Sequence, residues 1–160
     1  MSDPQSFPMT VQGHATLRDE LHHLKRVERL QISAEIEVAR AHGDLRENAE
    51  YHAAKERQGM VEARIRELET KLALAEVIDP SKFTGHRVLF GAHVTILDLE
   101  TEDEVTYQIV GDDEADLDNG TISCFSPIAR ALIGREEGDE CTIKAPRGDR
   151  KVEIVEVVFK

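Results

Sequence analysis

Ala54, Gln58, Val61, Ile65, Leu68, Leu72 and Ala75 recur at steps of four and three, in the rhythm 4-3-4-3-4-3. Such a seam is the apolar edge of a helix that packs lengthwise against one other helix. The partner is legible upstream. Leu17, Leu21 and Leu24 recur at four and three, and the stripe continues less cleanly through Val27, Ile32, Ile36 and Ala39, among Glu28, Gln31 and Glu35. Thr10 is a suitable N-cap for the first helix. Neither stripe is apolar all round, so each helix needs a single partner. The short glycine-bearing segment between them predicts an antiparallel hairpin. Pro80 closes the region, because proline cannot continue a helix and restricts Asp79 before it. Thirty helical residues make an arm of roughly 45 Å, longer than a core of this size requires. A dimerising coiled coil is the plain alternative.

From about residue 85 the apolar period changes to two. "HRVLFGAHVTILDLE", "EVTYQIVG", "DECTIKAP" and "KVEIVEVVFK" are rich in Val, Ile and Thr and read as strands. "APRGDRK" suits the turn of an antiparallel hairpin. In "SPIARALIGREEGDE", Pro127 fits the first turn of a short helix and Gly134 its stop. The expected fold class is therefore α+β: an N-terminal antiparallel helical hairpin over 1–79, a linker at 80–84 with the hinge near 78–84, and a small antiparallel sheet with one short helix over 85–160.

Charge narrows the partners. The 160 residues carry 32 acidic against 20 basic side chains, a net charge of −12. Such a field repels phosphate and opposes nonspecific binding to DNA, RNA or an anionic membrane. Cys124 and Cys141 have no CxxC or Cys/His company, so they read as small core residues of a reduced cytoplasmic protein rather than as a zinc site. The opening "MSDPQSFPMT" lacks a signal pattern, and no apolar run reaches membrane length.

The expected junction of the two helices, about residues 42–50, lies within "HGDLRENAEYHAAKE". Asp44 followed by Glu47 has the spacing of a capping box, and acidic residues favour a helix N-terminus. The same spacing brings two carboxylates close enough to approach one hard cation, which prefers oxygen ligands. Two ligands alone hold Mg²⁺ weakly, so such a site needs ligands from a second molecule. Arg40, Arg46, Lys55 and Arg57 place positive charge nearby, with Arg46 and Arg57 suited to surface ion pairs. His42 and His52 flank the tip as polar surface residues, and Asn48 and Tyr51 are placed to pack or hydrogen-bond within the turn.

"AHGDLRENAEYHAAKERQ", followed by "SPIARALIGREEGDE" near the C-terminus, closely resembles the bacterial transcript cleavage factor family. The likeness spans nearly the whole chain, its first nine residues least. It implies a coiled-coil hairpin followed by an FKBP-like domain. It also implies a monomeric transcription elongation factor, not itself an enzyme, whose arm enters the secondary channel of bacterial RNA polymerase. There Asp44 and Glu47 would assist the polymerase's own active site and help bind its second Mg²⁺, so that the polymerase cleaves backtracked RNA at the nascent 3′ end. Arg40 and Lys55 match the family's basic patch toward RNA, and Ser126, Pro127, Ile128 and Ala129 fall in the segment implied to dock on polymerase. The alternatives are a channel binder that regulates polymerase without promoting cleavage, and a peptidyl-prolyl isomerase. The second is disfavoured by a sheet region holding only Phe90, Tyr107, Phe125 and Phe159 as aromatics.

Overall fold

The computed structural model describes residues 6–160, so the sequence reading of the extreme N-terminus lies in part outside the described residues. Its described residues divide into two compact units, one of His14–Ala75 and the other of Ser6–Gly13 with Glu76–Lys160. This division differs from the expected 1–79 and 85–160. Ser6–Gly13 and the chain from Glu76 onward, expected in part with the helices, belong by their contacts with the C-terminal sheet region.

In the helical unit, α1 (Val11–His23) runs through a π-turn (Leu24–Glu28) into α2 (Arg29–Ala41), and α3 (Ala49–Ala73) returns beside α2. The π-turn explains the irregular first stripe. Leu24 and Ile32 are both buried yet lie eight apart in sequence, one more than a heptad. An i→i+5 turn absorbs the surplus residue and returns the stripe to the seam. Val27, expected in the stripe, is 39% exposed. On α3, Ala54, Ile65 and Leu68 are buried as the heptad predicts. Ion pairs join the two arms of the hairpin. Arg64 holds Glu20 at 2.8 and 3.0 Å, Arg29 holds Glu62 at 2.8 Å twice, and Arg57 meets Glu35 at 2.6 Å. Paired arginine forks of this kind specify register more than stability.

The helix ends at Ala73, short of the stripe's last residue. Ala75–Ile78 forms β2, paired with β1 (Phe7–Thr10) in a two-stranded sheet. β1 leads directly into α1, and Thr10 caps as expected: its hydroxyl accepts the Gly13 N–H at 3.0 Å. The cap is held from far along the chain. Glu114 accepts the Thr10 N–H and the Gly111 N–H, each at 3.0 Å, and takes the Thr10 hydroxyl proton in a hydrogen bond. A side chain at Gly13 would collide with this carboxylate, since a Cβ there would lie 2.1 Å from its carbon.

The main sheet has five strands in the order β5-β4-β3-β7-β6, namely β3 (His93–Asp98), β4 (Glu104–Val110), β5 (Thr121–Ser123), β6 (Glu140–Ile143) and β7 (Arg150–Val158). It is mixed rather than wholly antiparallel. β5 joins β4 in parallel, because residues 111–120 cross over instead of turning back. The β6–β7 hairpin is antiparallel, with Ile143 opposite Arg150. The short helix α4 (Pro127–Leu132) covers the core with Ala129 and Leu132, and Gly134 follows in the left-handed region at φ +88°. Cys124 and Cys141 are free and buried in this core, where burial pushes both thiols above their ordinary range. Among the described residues no helix is long and apolar enough to cross a membrane.

β3 alternates strictly, and its last inward residue is Asp98, 7% exposed. The carboxylate accepts the Thr101 and Glu100 N–H groups at 3.1 and 2.9 Å and the Arg150 Nε–H at 3.0 Å. These bonds hold it below the usual carboxylate range. Its contribution to stability is thus complete above about pH 4, the unfolded value, and is lost as pH falls through the lower folded value. Asp98→Asn retains an acceptor for the backbone but loses the charge facing Arg150. Urea titrations should show the parent more stable than Asp98→Asn at neutral pH, with the gap closing below about pH 4. A gap independent of pH would remove the charge from the account.

Candidate functional site

The hairpin tip is built by how α2 stops and α3 starts. At the end of α2, the N–H groups of His42 and Gly43 bond to the Ala39 and Arg40 carbonyls, both at 3.2 Å. Gly43 then takes φ +101°, a left-handed conformation that other residues adopt at a cost and that turns the chain out of the helix. In the loop that follows, Asp44 Oδ1 accepts the Arg46 N–H at 3.0 Å, a local turn. The next helix does not begin there. Its N-cap is Asn48, in an extended conformation, whose Oδ1 accepts the Tyr51 N–H at 3.0 Å.

This corrects the capping-box expectation for Asp44 and Glu47. The helix starts at Ala49, after both of them, and its cap is supplied by Asn48. The pair is left in the exposed loop. Among the described residues the Glu47 side chain has no hydrogen-bond or ion-pair partner, and Asp44 has only its own turn. His42, Asp44, Glu47, Asn48, Ala49 and Glu50 line one open depression, so Asp44 and Glu47 share a surface. Among the described residues no three His, Cys, Asp or Glu side chains form a group suited to hold a metal ion. Neither carboxylate caps a helix, and beyond the Asp44 turn neither side chain is tied to the fold among the described residues.

Arg40 and Lys55, far apart in sequence, line a single groove across the hairpin with Ser33, Ile36, Glu37 and Gln58. Both are exposed, and the Lys55 ammonium donates to Gln58 Oε1 at 3.1 Å. Arg57 instead pairs with Glu35, as expected of a surface ion pair. In the other unit, Ser126 caps α4 by accepting the Ala129 N–H at 3.2 Å, with Pro127 in the first turn. Ala129 is fully buried and offers a partner no surface. Of the four residues, Pro127 is exposed and Ser126 and Ile128 are partly so. Phe125, directly before Ser126, is 42% exposed, and its exposure was not expected from the sequence. A single apolar residue in a turn carries no periodic signal.

The tip thus displays two exposed carboxylates without a third ligand side chain among the described residues. Comparison with known proteins gives the family. Residues 7–77 match the family described as "Transcription elongation factor, N-terminal", and residues 84–159 match "Transcription elongation factor, GreA/GreB, C-term". The chain is 61% identical over 156 residues to transcription elongation factor GreA of Hyphomonas neptunium, covering 98% of this chain and 99% of that one. It is 57% identical over 157 residues to the GreA of a Psychrobacter species, with coverage of 98% and 99%. Among solved structures, GreA factor homolog 1 of Thermus thermophilus aligns at 25% identity and a TM-score of 0.44, over 96% of this chain and 99% of that one. The chain belongs to the GreA/GreB family of transcription elongation factors.

Proposed function

We propose that this chain is a cytoplasmic elongation factor that acts as a monomer on bacterial RNA polymerase, passing its hairpin through the secondary channel to stimulate cleavage of backtracked RNA. The observation that supports this most directly is the tip. Asp44 and Glu47 are exposed, share one surface and serve no cap, on a hairpin whose α3 alone is 25 residues, roughly 37 Å. Their donor set suits a hard, oxygen-seeking cation but is too small to retain one, which fits an ion shared with a partner's own ligands. Mg²⁺ at a shared site of this kind supplies charge stabilisation for in-line hydrolysis of a phosphodiester. The chain's contribution is to bring two anionic oxygens to that place and hold them. Arg40 and Lys55, in a separate groove of the same hairpin, are suited to the phosphates of extruded RNA, and their exposure makes the contact salt-dependent. The α4 edge, with Pro127 and the neighbouring Ser126 and Ile128, is assigned to docking on polymerase. Docking by protein contacts makes the net charge of −12 tolerable, because long-range capture of RNA is not required.

Stalled elongation complexes with a backtracked 3′ end should release a short 3′ RNA fragment faster when the protein is added. The protein alone, with labelled RNA and Mg²⁺, should hydrolyse nothing. Unchanged release from the complexes would refute the proposal, and metal-dependent hydrolysis by protein free of polymerase and contaminating nucleases would refute the division of labour.

A further inference from the structure

Asn48 is placed to do more than begin a helix. Its Oδ1 accepts the Tyr51 N–H at 3.0 Å in the first turn of α3, while its Nδ2 donates to the Ala39 carbonyl at 2.7 Å in the last turn of α2. These partners leave one orientation for the amide, since a carbonyl demands a donor and an N–H demands an acceptor. A single side chain thus joins the two helices at the root of the loop that carries Asp44 and Glu47. The far side of the loop is held as well, because His52 Nε2 lies 3.1 Å from the Arg46 carbonyl. The His52 ring rests edge-on to Tyr51, with centroids 5.6 Å apart. Between these two points the carboxylates have no partner outside the loop among the described residues.

We infer that Asn48 is a positioning residue for cleavage: its bond to Ala39 sets the loop geometry in which Asp44 and Glu47 are presented. The inference rests on the function proposed above. It follows from chemistry at one atom. Ser and Asp cap helices about as well as Asn. Ser is too short to span to Ala39, and an ionised Asp puts an acceptor where a donor is needed. Both substitutions therefore keep α3 capped and remove only the tie between helices. Misplacement of reacting groups by about 1 Å lowers rates by up to roughly a hundredfold.

The test uses the full chain with polymerase elongation complexes bearing backtracked RNA. Cleavage rate is measured against factor concentration and against Mg²⁺ concentration, for Asn48→Ser, Asn48→Asp and Asp44→Asn. The neutral and anionic variants at 48 separate geometry from added charge. Both should lower the maximal rate by about tenfold or more, leave the half-saturating factor concentration within about twofold, and raise the Mg²⁺ needed for half-maximal rate. Each should also lose little further when combined with Asp44→Asn, because the carboxylate being positioned is already gone. Maximal rates at the parent level in Asn48→Ser and Asn48→Asp, with Asp44→Asn inactive, would overturn the positioning role and leave the function intact. Normal rates in all three would overturn both. A loss confined to half-saturation, with maximal rate preserved, would assign Asn48 to binding and also overturn the inference. Should one variant at 48 fail to fold by circular dichroism, the other decides.

Discussion

Asp44→Asn and Glu47→Gln are each expected to reduce stimulated RNA cleavage by about a hundredfold or more, with melting temperature and polymerase binding unchanged. Their local structure explains why stability is spared. The Asn side-chain oxygen still accepts the Arg46 N–H, and Glu47 makes no side-chain bond to lose among the described residues. The cap of α3 belongs to Asn48 and is untouched. Removing one anionic oxygen from a site that stabilises charge in a transition state costs several kcal/mol. At about 1.4 kcal/mol per tenfold, that amounts to two orders of magnitude or more. Cleavage, melting and competition with the parent protein should be measured on the same preparations. Near-normal cleavage by both variants would return the pair to ordinary solvated surface, and a family member that binds without cleaving would then be the better reading.

The second large effect concerns the sheet. Ile154 is fully buried in β7, opposite Ile96 of β3, and its backbone bonds to Gly138 and Asp139. Ile154→Ala removes three carbons from a closed core and should cost about 2–5 kcal/mol. For a unit of this size each kcal/mol corresponds to roughly 4–8 °C of melting temperature. The neighbouring Val155 is 42% exposed, and Val155→Ala should stay within about 0.5 kcal/mol of the parent. The contrast between adjacent residues is the check. Equal losses at 154 and 155, by thermal melting, would mean that β7 is not buried on one face as described. On the proposed docking role, Ile154→Ala should also weaken polymerase binding on warming while sparing the maximal cleavage rate at saturation.

Much of this was readable from residue order alone, for a reason of range. The heptad on α3, the stop of α4 at Gly134 and the alternation along β3 depend on neighbours a few residues away, and those neighbours are in the string. The position of Asp44 and Glu47 at the tip was legible in the same way, because it follows from where two helical stripes meet. Their freedom from capping was not. Asp44 and Asn48 are both good N-cap residues, and the choice falls to Asn48 because only an amide can also reach Ala39 across the hairpin. The π-turn was hidden for a similar reason: the slip in the first stripe is visible, but its remedy depends on α3 requiring both Leu24 and Ile32 at the seam. The compact units part at other residues than the expected 79/85 boundary because Thr10 and Gly13 are claimed by Glu114, about a hundred residues away, and β2 by β1. The parallel pairing of β5 likewise follows from how residues 111–120 cross the sheet. Local periodicity determined the arm, most strands and the location of the acidic tip. Hydrogen bonds between residues distant in sequence decided where the units part, how the sheet closes and which tip side chain holds while the others are left exposed.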